Sequence, residues 1–280
     1  MKKLLQLLKS QKHNSPAEKN MRCETSGEEN ITESILRAFD EREFVLFVQF
    51  IVDAKTEKVV RAEALSRWNR GEKGIVAPGK YIWLMEENGL IGRHDLYMFE
   101  LVCKQLQEWK ETSLSDVPLS CNFTRVTLSE KGVVEKIKAI CEKYDFDRSK
   151  VCIEITEEAI EKNVENALSN IEECKKLGFR IALDDLGNGY TSLSNLCDYP
   201  IDIVKIDRDI LLKADTERGR ALLEGIVELA HKLKLKVVCE GIETEEQKEV
   251  VVNAGCDYIQ GFYYFRPMPK EEYEKIMCAD

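Results

Sequence analysis

The sequence predicts an α/β protein in which strands and helices alternate as they do in a (β/α)8 barrel. Short apolar runs with strand character recur about eight times, and amphipathic helical patterns separate most of them. Several of these runs are almost continuously apolar, which is typical of parallel strands covered on both faces. A doubly wound open sheet is the competing topology. The number of strands favours the barrel, and 280 residues suit one such domain.

An N-terminal tail precedes the barrel domain. We assign residues 1–30 to the tail and residues 31–280 to the domain. Residues 10–30 are polar and charged, so they cannot bury enough apolar surface to order by themselves. Residues 1–9 are briefly amphipathic, but their apolar part is too short for a signal peptide. We interpret them as a helical stub, and the sequence leaves open whether a protein partner binds it.

The elements of the domain follow one another in a regular order. Ile35, Leu36 and Phe39 form an apolar stripe that predicts a helix before the first strand. The predicted strands are residues 44–50, 59–65, 119–123, 151–155, 180–183, 203–206, 236–239 and 257–260. Apolar residues that recur every three or four positions predict the clearest helices at residues 130–144, 164–177 and 218–233.

The composition argues against several classes of protein. The net charge of −10 and the lack of a long basic run argue against DNA or RNA as a partner. No apolar run approaches the roughly 20 residues that a membrane span needs. The ten cysteines include no CxxC pair and the three histidines are far apart, so a zinc site has little support. Cysteines within apolar runs indicate a reduced compartment, and we expect the cytoplasm.

Polar side chains gather where the apolar runs end. They are Glu63, Asn122, Glu154, Glu157, Asp184, Asp185, Lys205, Asp207, Glu240, Glu243 and Gln260. Because the carboxyl ends of parallel barrel strands open onto one face, we expect these side chains to converge there. Several buried carboxylates need a compensating cation, and a set of oxygen ligands selects a hard ion such as Mg²⁺ or Mn²⁺. Two such ions suit the attack of an activated water on a phosphodiester.

Helix capping is the alternative explanation for any one of these acids. An acid at a helix N-terminus is common and stabilising. The best candidates for caps are Glu157, Asp185 and Glu243. The acids that lie inside apolar strand segments, where no cap is required, are Glu63, Glu154 and Glu240. Capping therefore explains a single acid better than it explains the presence of polar residues at six strand ends.

These residues resemble the motifs of a known family. The segment EALSRW at residues 63–68 looks like the signature that names the EAL domains. The resemblance continues through Asn122, EITE at residues 154–157 and DDLGNGYTSL at residues 184–193. It ends with the segments VKID at residues 204–207, EGIET at 240–244 and DYIQG at 257–261. The ordered set covers about residues 31–277 and is far more specific than any one motif.

The resemblance implies a modified (β/α)8, TIM-like barrel that hydrolyses one phosphodiester bond of cyclic di-GMP to linear 5′-pGpG. It implies that the ligands of a first metal ion are Glu63, Asn122, Glu154 and Asp184. Asp185 matches the ligand of a second ion, and Lys205 and Glu240 match the groups that position or activate the attacking water. Gln260 matches a group near that water and the substrate.

Further positions match the substrate contacts and a mobile loop of the family. Leu65 and Arg67 match substrate contacts, with Arg67 on the phosphate, and Glu157 matches the anchor of the loop. The segment at residues 184–193 implies a homodimer contact. Its departures from the usual family sequence are Leu186, Asn188 and Thr191. They remove no predicted catalytic group, but they bear on the rate and on the dimer.

Two other functions compete with an active phosphodiesterase. The first is a catalytically silent EAL domain that binds cyclic di-GMP and signals to a protein partner. Silent members usually lack a metal ligand or the lysine, whereas all the matched positions are occupied here. The second is a barrel hydrolase that acts on another phosphoester. The matches at Leu65 and Arg67 count against it.

Overall fold

The computed structural model describes residues 31–156, 164–187 and 195–277. The predicted tail, Glu157 and residues 188–194 lie outside the described residues. Within this part of the chain, the strands are β1 (Phe44–Asp53), β2 (Val59–Asn69), β3 (Ile75–Val76), β4 (Leu119–Asn122), β5 (Val151–Thr156), β6 (Arg180–Leu186), β7 (Ile203–Ile206), β8 (Lys236–Cys239) and β9 (Tyr258–Ile259). Each of the eight predicted strands has a counterpart among them.

The sheet closes into a barrel. Its strand order is β1-β9-β8-β7-β6-β5-β4-β2-β3, and a further pairing of β1 with β2 joins the ends. Eight strands therefore form the closed barrel, while β3 pairs only along the outer part of β2. This closure confirms the predicted barrel and excludes the open sheet.

The first strand departs from strict strand–helix alternation. β1 runs antiparallel to both of its neighbours, β2 and β9. The other six neighbouring pairs of the closed barrel are parallel, namely β2–β4, β4–β5, β5–β6, β6–β7, β7–β8 and β8–β9. Only residues 54–58 join β1 to β2, which is too short for the crossover that a parallel pair needs. Asp53 Oδ1 holds this turn by accepting from Thr56 N at 2.7 Å and from Thr56 Oγ1 at 2.9 Å. The expectation that every strand end opens onto one face is therefore wrong for β1.

Helices surround the barrel. They are α1 (Ile31–Asp40), α2 (Ile82–Glu87), α3 (Ile91–Trp109), α4 (Arg125–Leu128), α5 (Val133–Cys141), α6 (Val164–Lys176), α7 (Asn195–Asp198), α8 (Arg208–Lys213), α9 (Glu217–Lys232), α10 (Glu245–Asn253) and α11 (Lys270–Met277). Single 3₁₀ turns occupy Gly71–Lys73, Pro78–Lys80 and Arg148–Lys150. The helices predicted at 130–144, 164–177 and 218–233 correspond to α5, α6 and α9. Among the described helices, none is both long and apolar enough to cross a membrane.

The core has three clusters, and one of them packs α1 and α2 against Phe44 of β1 and Trp68 of β2. The main cluster lies between the outside of the sheet and the helices. A small inner cluster fills the barrel, and its members are Ile51, Cys152, Ala182, Ile203 and Val238. Each of the eight described cysteines is a free thiol, and seven are buried, as expected for cysteines that serve as small apolar residues. The inner cluster forms an apolar floor beneath the polar groups described below.

Two aspartates have the same role at the N-terminal end of the barrel. Asp202 Oδ2 accepts from the backbone N of Ile181 at 2.9 Å, and Lys175 Nζ donates to Oδ1 at 2.8 Å. Asp257 Oδ2 accepts from the backbone N of Val237 at 2.9 Å. Each carboxylate precedes one strand and binds the backbone of the strand beside it. These bonds hold the strand starts in register opposite the site.

Candidate active site

A buried lysine stands at the centre of the polar end of the barrel. Lys205 of β7 is 2% exposed, although lysine is almost never buried without a partner. Its Nζ lies close to four carboxylates: Glu240 Oε1 at 2.6 Å, Glu154 Oε2 at 2.7 Å, Asp184 Oδ1 at 3.3 Å and Glu63 Oε2 at 3.4 Å. The structure thus brings together five of the residues that the sequence predicts to converge.

Strand register explains why these side chains meet. Glu63 on β2 is paired with Gln49 on β1 and with Ser120 on β4, and Asn122 is paired with Glu154 on β5. Paired residues point to the same side of a sheet, and successive residues alternate between sides. The polar side chains that come two positions after the inner apolar residues on the same strands therefore also point into the barrel, at its C-terminal end.

Glu63 is held by two amides as well as by the lysine. Asn122 Nδ2 donates to Glu63 Oε1 at 3.0 Å, and Gln260 Nε2 donates to Glu63 Oε2 at 2.6 Å. Gln260 Nε2 also lies 3.2 Å from Gln49 Oε1, and Gln49 Nε2 donates to the carbonyl oxygen of Phe265 at 3.0 Å. Gln49 was not among the predicted site residues. The available signal was a polar residue within the apolar run 44–50.

Asp185 sits in an unusual backbone conformation beside the cluster. Its φ is 58°, and the pairing of β6 with β7 shifts register between Leu183 and Leu186. A non-glycine residue in this left-handed region costs roughly 1–2 kcal/mol, so the fold must hold it there. Asp185 N donates to Asp184 Oδ1 at 3.0 Å. The two predicted acids are therefore adjacent, with Asp185 at an irregular point of the strand.

A glycine two residues after Asp185 favours this bend. Gly187 has a φ of 105°, and a Cβ placed there would lie 2.3 Å from Ile210 Cδ1. The backbone angle makes a larger residue unfavourable, and the Ile210 side chain on α8 would have to move to accommodate it. Leu186 is buried in the core, so this departure from the family pattern is a packing residue. The other two departures, Asn188 and Thr191, lie outside the described residues.

The cluster carries more negative charge than its lysine neutralises. Burial would lower the pKa of Lys205, but the charges of Asp184, Glu154 and Glu240 prevail and raise it well above its usual range. Burial and the charge of Glu63 raise the pKa of Glu154 well above its ordinary value, against the effect of Lys205. Burial, with the charges of Asp184 and Glu63, raises the pKa of Glu240 to about 8. Four carboxylates around one lysine therefore favour the binding of a further positive charge.

Glu63 shows the opposite shift. Its burial opposes ionisation, but the charge of Lys205 and the hydrogen bonds from Gln260 and Asn122 prevail and lower its pKa. Glu63 therefore stays ionised within the cluster, which favours it as a ligand for a cation.

The donor set fits a hard divalent cation in its chemistry. The available ligand atoms are carboxylate and amide oxygens, which Mg²⁺ and Mn²⁺ prefer. Among the described side chains, no three acidic, cysteine or histidine residues already surround one point as metal ligands. Lys205 Nζ itself lies between the carboxylates. Binding of a cation would require the carboxylates to exchange some of their contacts with Lys205.

A cleft of about 280 Å³ opens above the cluster. Apart from the cluster, the residues that line it are Gln49, Leu65, Arg208, Gly241, Glu243, Gln260, Gly261 and Phe262. Arg208, which was not among the predicted residues, forms an ion pair of 2.8 Å with Glu243 at its rim. Phe262 is exposed, and Arg266 stacks over its ring at 4.2 Å. The cleft thus combines a carboxylate-rich floor with cationic and aromatic groups at the edge.

The two predicted substrate contacts lie on the same face of β2 as Glu63. Leu65 follows Glu63 by two positions and lines the cleft. Arg67 lies two positions further along the strand, where its guanidinium is 5.5 Å from the centroid of the Phe47 ring. Trp68 points to the other side of the strand and is buried.

Among the predicted strand-end acids that the structure describes, one caps a helix. Asp207 caps α8, where its side chain accepts from Asp209 N at 2.7 Å, and it is not part of the cluster. Thr244, rather than Glu243, caps α10 in a capping box with Gln247. Glu157 lies outside the described residues.

Comparisons with known proteins agree with this geometry. The family model described as the EAL domain matches residues 32–267. MucR of Pseudomonas aeruginosa, a bifunctional diguanylate cyclase/cyclic di-GMP phosphodiesterase, is 30% identical over 256 residues, which are 91% of this chain and 37% of MucR. RocR of the same organism, a cyclic di-GMP phosphodiesterase, is 29% identical over 242 residues, which are 85% of this chain and 61% of RocR. The chain thus spans less than two thirds of the length of both relatives.

Solved structures show the same fold. The PaMucR phosphodiesterase in its c-di-GMP complex has a TM-score of 0.81 and 30% identity, over 87% of this chain and 99% of that one. An EAL domain protein of Listeria monocytogenes has a TM-score of 0.77 and 28% identity, over 91% of this chain and 100% of that one. The family match includes every barrel strand and the whole carboxylate–lysine cluster. This chain belongs to the EAL domain family.

Proposed function

We propose that this chain hydrolyses one phosphodiester bond of cyclic di-GMP and releases linear 5′-pGpG, with the help of divalent metal. The observation that carries the proposal is the convergence of Lys205 and four carboxylates beneath an open cleft. The names of MucR and RocR support cyclic di-GMP as the substrate. The PaMucR complex supports binding of that ligand by this fold.

Particular oxygens suit the metal. Glu63, Asn122, Glu154 and Asp184 would hold a first Mg²⁺ or Mn²⁺, and Asp185 would contribute to a second. Bound there, the metal would neutralise the excess negative charge of the cluster and lower the pKa of a water molecule. The raised pKa of Glu154, caused by its burial and by the charge of Glu63, supports this assignment because it marks a carboxylate in need of a cation.

The remaining residues would carry the proton and the developing charge. The oxygen of water would attack phosphorus while the bond from phosphorus to the 3′ oxygen breaks. The 3′ oxygen would take a proton from solvent and leave as a hydroxyl, so the product keeps a 5′ phosphate. Glu240 is suited to accept the proton of the water, because its side chain is 22% exposed beside the cleft. Lys205 would stabilise the negative charge that develops on the phosphate oxygens. Gln260 would orient the water.

Substrate would be held on the face of β2 that contains Leu65 and Arg67. The apolar Leu65 side chain suits contact with a flat base, and the Arg67 guanidinium suits a phosphate. Glu157 stays a prediction as the anchor of the mobile loop. A homodimer through residues 184–193 likewise stays a prediction.

A chromatographic assay with purified protein and cyclic di-GMP tests the proposal. We expect 5′-pGpG to appear with Mg²⁺ or Mn²⁺, and no product with a chelator. Lys205→Ala should abolish turnover, whereas Lys213→Ala, which changes an exposed lysine on α8, should leave it unchanged. Binding of cyclic di-GMP without product in either metal would reject the enzyme and make the chain a receptor. Neither binding nor product would reject cyclic di-GMP altogether.

A further inference from the structure

A network of hydrogen-bonded, buried polar side chains lies on the outer side of β2, behind the cleft. Ser66 Oγ is 2.6 Å from Tyr81 OH and 2.9 Å from His94 Nε2. Tyr81 and His94 are buried, and His94 is 4% exposed. The ring of Phe44 meets the His94 ring edge-on, with the centroids 5.4 Å apart. The imidazole therefore has one polar contact on its Nε2 side and aromatic packing around it.

The other side of the imidazole faces a carboxylate. His94 Nδ1 lies 3.7 Å from Asp95 Oδ1, which is beyond hydrogen-bond length but close enough for electrostatic attraction. Asp95 Oδ2 accepts from Thr124 N at 2.8 Å, Thr124 Oγ1 at 2.7 Å and Thr127 Oγ1 at 2.6 Å. Because an ionised carboxylate only accepts, the hydrogen of a neutral His94 is best assigned to Nδ1. Ser66 then donates to His94 Nε2, and Tyr81 donates to Ser66.

Two members of this network, Ser66 and Thr124, lie next to proposed site residues in the sequence. Ser66 lies between Leu65 and Arg67, and Arg67 Nη1 donates to the carbonyl oxygen of Ser66 at 2.9 Å. Thr124 follows Asn122, a predicted metal ligand, by two positions. α3, which carries the His94–Asp95 pair, thus connects the strand of the substrate contacts with the end of β4.

Such a network fixes geometry more than it adds stability. Buried polar groups are costly when their partners are lost, so the bonds of Ser66 and the three bonds to Asp95 allow few alternative arrangements, although His94 Nδ1 makes no hydrogen bond within the described residues. The charge of Arg67 also acts on this network, through its effect on Tyr81. Burial raises the pKa of Tyr81 to about 12, and the hydrogen bond with Ser66 and the charge of Arg67 oppose that rise. A change at His94 is therefore expected to reach the guanidinium of Arg67 through Ser66.

We infer that His94 is a positioning residue that, through Ser66, sets the place of Arg67 for binding a phosphate of the cyclic dinucleotide. The inference rests on the proposed function. It assigns His94 no contact with the substrate and no part in proton transfer. Its effect should appear in the KM and in the Kd for cyclic di-GMP, and not in kcat.

Three replacements of His94 separate this role from a structural one. His94→Gln retains a polar atom near the position of Nε2, His94→Asn retains one near Nδ1, and His94→Leu retains neither. We expect His94→Leu to raise the KM and Kd roughly tenfold, with kcat within about twofold of wild type. His94→Gln should restore most of the affinity, and His94→Asn should not. The Kd is measured by calorimetry in chelator, and folding is checked by thermal unfolding.

The decisive comparison is made in the Arg67→Ala background. We expect His94→Leu to have no further effect on the KM or Kd there, since the affected contact is already absent. An equal effect in both backgrounds would overturn the inference, as would a lower Tm with unchanged KM and kcat. A wild-type protein without affinity for cyclic di-GMP would overturn the proposed function, and this role with it. If wild type and His94→Leu bind cyclic di-GMP with the same Kd, only the role of His94 is overturned.

Discussion

Gln49 and Gln260 connect the first and last strands of the barrel through a hydrogen bond of 3.2 Å between Gln260 Nε2 and Gln49 Oε1. The same Nε2 donates to Glu63 Oε2 at 2.6 Å. Gln49 therefore orients the amide that holds Glu63. Gln49, which lies on the antiparallel strand β1, thus helps to fix Glu63, a proposed metal ligand, through Gln260.

Replacement of Gln49 should lower activity more than stability. Gln49→Leu removes the acceptor for Gln260 Nε2, so Gln260 is no longer fixed toward Glu63. We expect roughly a tenfold loss in kcat/KM, in the range found for groups that orient metal ligands. The loss in free energy of unfolding should be about 1 kcal/mol. Steady-state hydrolysis of cyclic di-GMP and urea unfolding measure the two effects.

The matched control for Gln49 is Gln105, a buried glutamine on α3 at a distance from the cluster. Gln105→Leu should change stability by a similar amount and leave kcat/KM unchanged. Equal activity losses in both variants would mean that Gln49 has no particular connection with the site.

Removal of a single proposed metal ligand should abolish hydrolysis. We expect Glu63→Ala and Asp184→Asn each to reduce kcat by about 100-fold or more, because the cation loses a carboxylate. Calorimetric titration with Mn²⁺ should show weaker binding in both variants. Glu224→Ala, which changes an exposed acid on α9, serves as the control. Full activity in both site variants would reject the metal assignment.

The Asp257 carboxylate should make stability depend on acid pH. Burial opposes its ionisation, but bonds from Lys236, Val237 N and His231 prevail and lower its pKa below the usual 3.8. A lowered folded-state pKa means that this contribution is complete above about pH 5 and is lost as the pH falls through the folded-state pKa. Asp257→Asn should therefore reduce the free energy of unfolding by about 1 kcal/mol at pH 7. The difference should shrink below pH 4.

Urea unfolding of wild type and Asp257→Asn between pH 7 and pH 3.5 checks this dependence. The control is Asp215→Asn, at an exposed aspartate that precedes α9. We expect that variant to follow wild type at every pH. A gap between Asp257→Asn and wild type that widened as the pH fell would contradict the direction of the pKa shift.

A side chain at Gly187 should be destabilising. In Gly187→Ala, the new Cβ would meet Ile210 Cδ1 and the backbone would keep an unfavourable positive φ. We expect a stability loss of about 1–3 kcal/mol and a lower kcat, since the bend at Asp184 and Asp185 must move. Thermal unfolding and the hydrolysis assay give the two values.

A second glycine provides the comparison. Gly225 lies within α9, and a Cβ there would meet nothing within 4 Å. Gly225→Ala should raise stability by up to about 1 kcal/mol and leave activity unchanged. A neutral Gly187→Ala variant would show that the bend can relax without cost.

Much of the barrel followed from local patterns. Apolar runs and helical periodicity predicted all eight barrel strands, because both patterns reflect burial of side chains that are close in sequence. The residues that surround Lys205 were also predicted, because the motifs place them at the ends of strands. Residues at the C-terminal ends of parallel strands must share one face of a closed barrel.

Only the tertiary structure decided what depends on the pairing of distant segments. The short turn after Asp53 made β1 antiparallel, and its register with β2 then brought Gln49 to Glu63. The packing of α3 against the outside of β2 joined Ser66 to His94, which appeared in the sequence only as an isolated histidine. The sequence alone thus determined which residues could take part in the site. Closure of the sheet decided which of them touch, because a hydrogen bond of about 3 Å depends on register and crossing geometry that no local pattern contains.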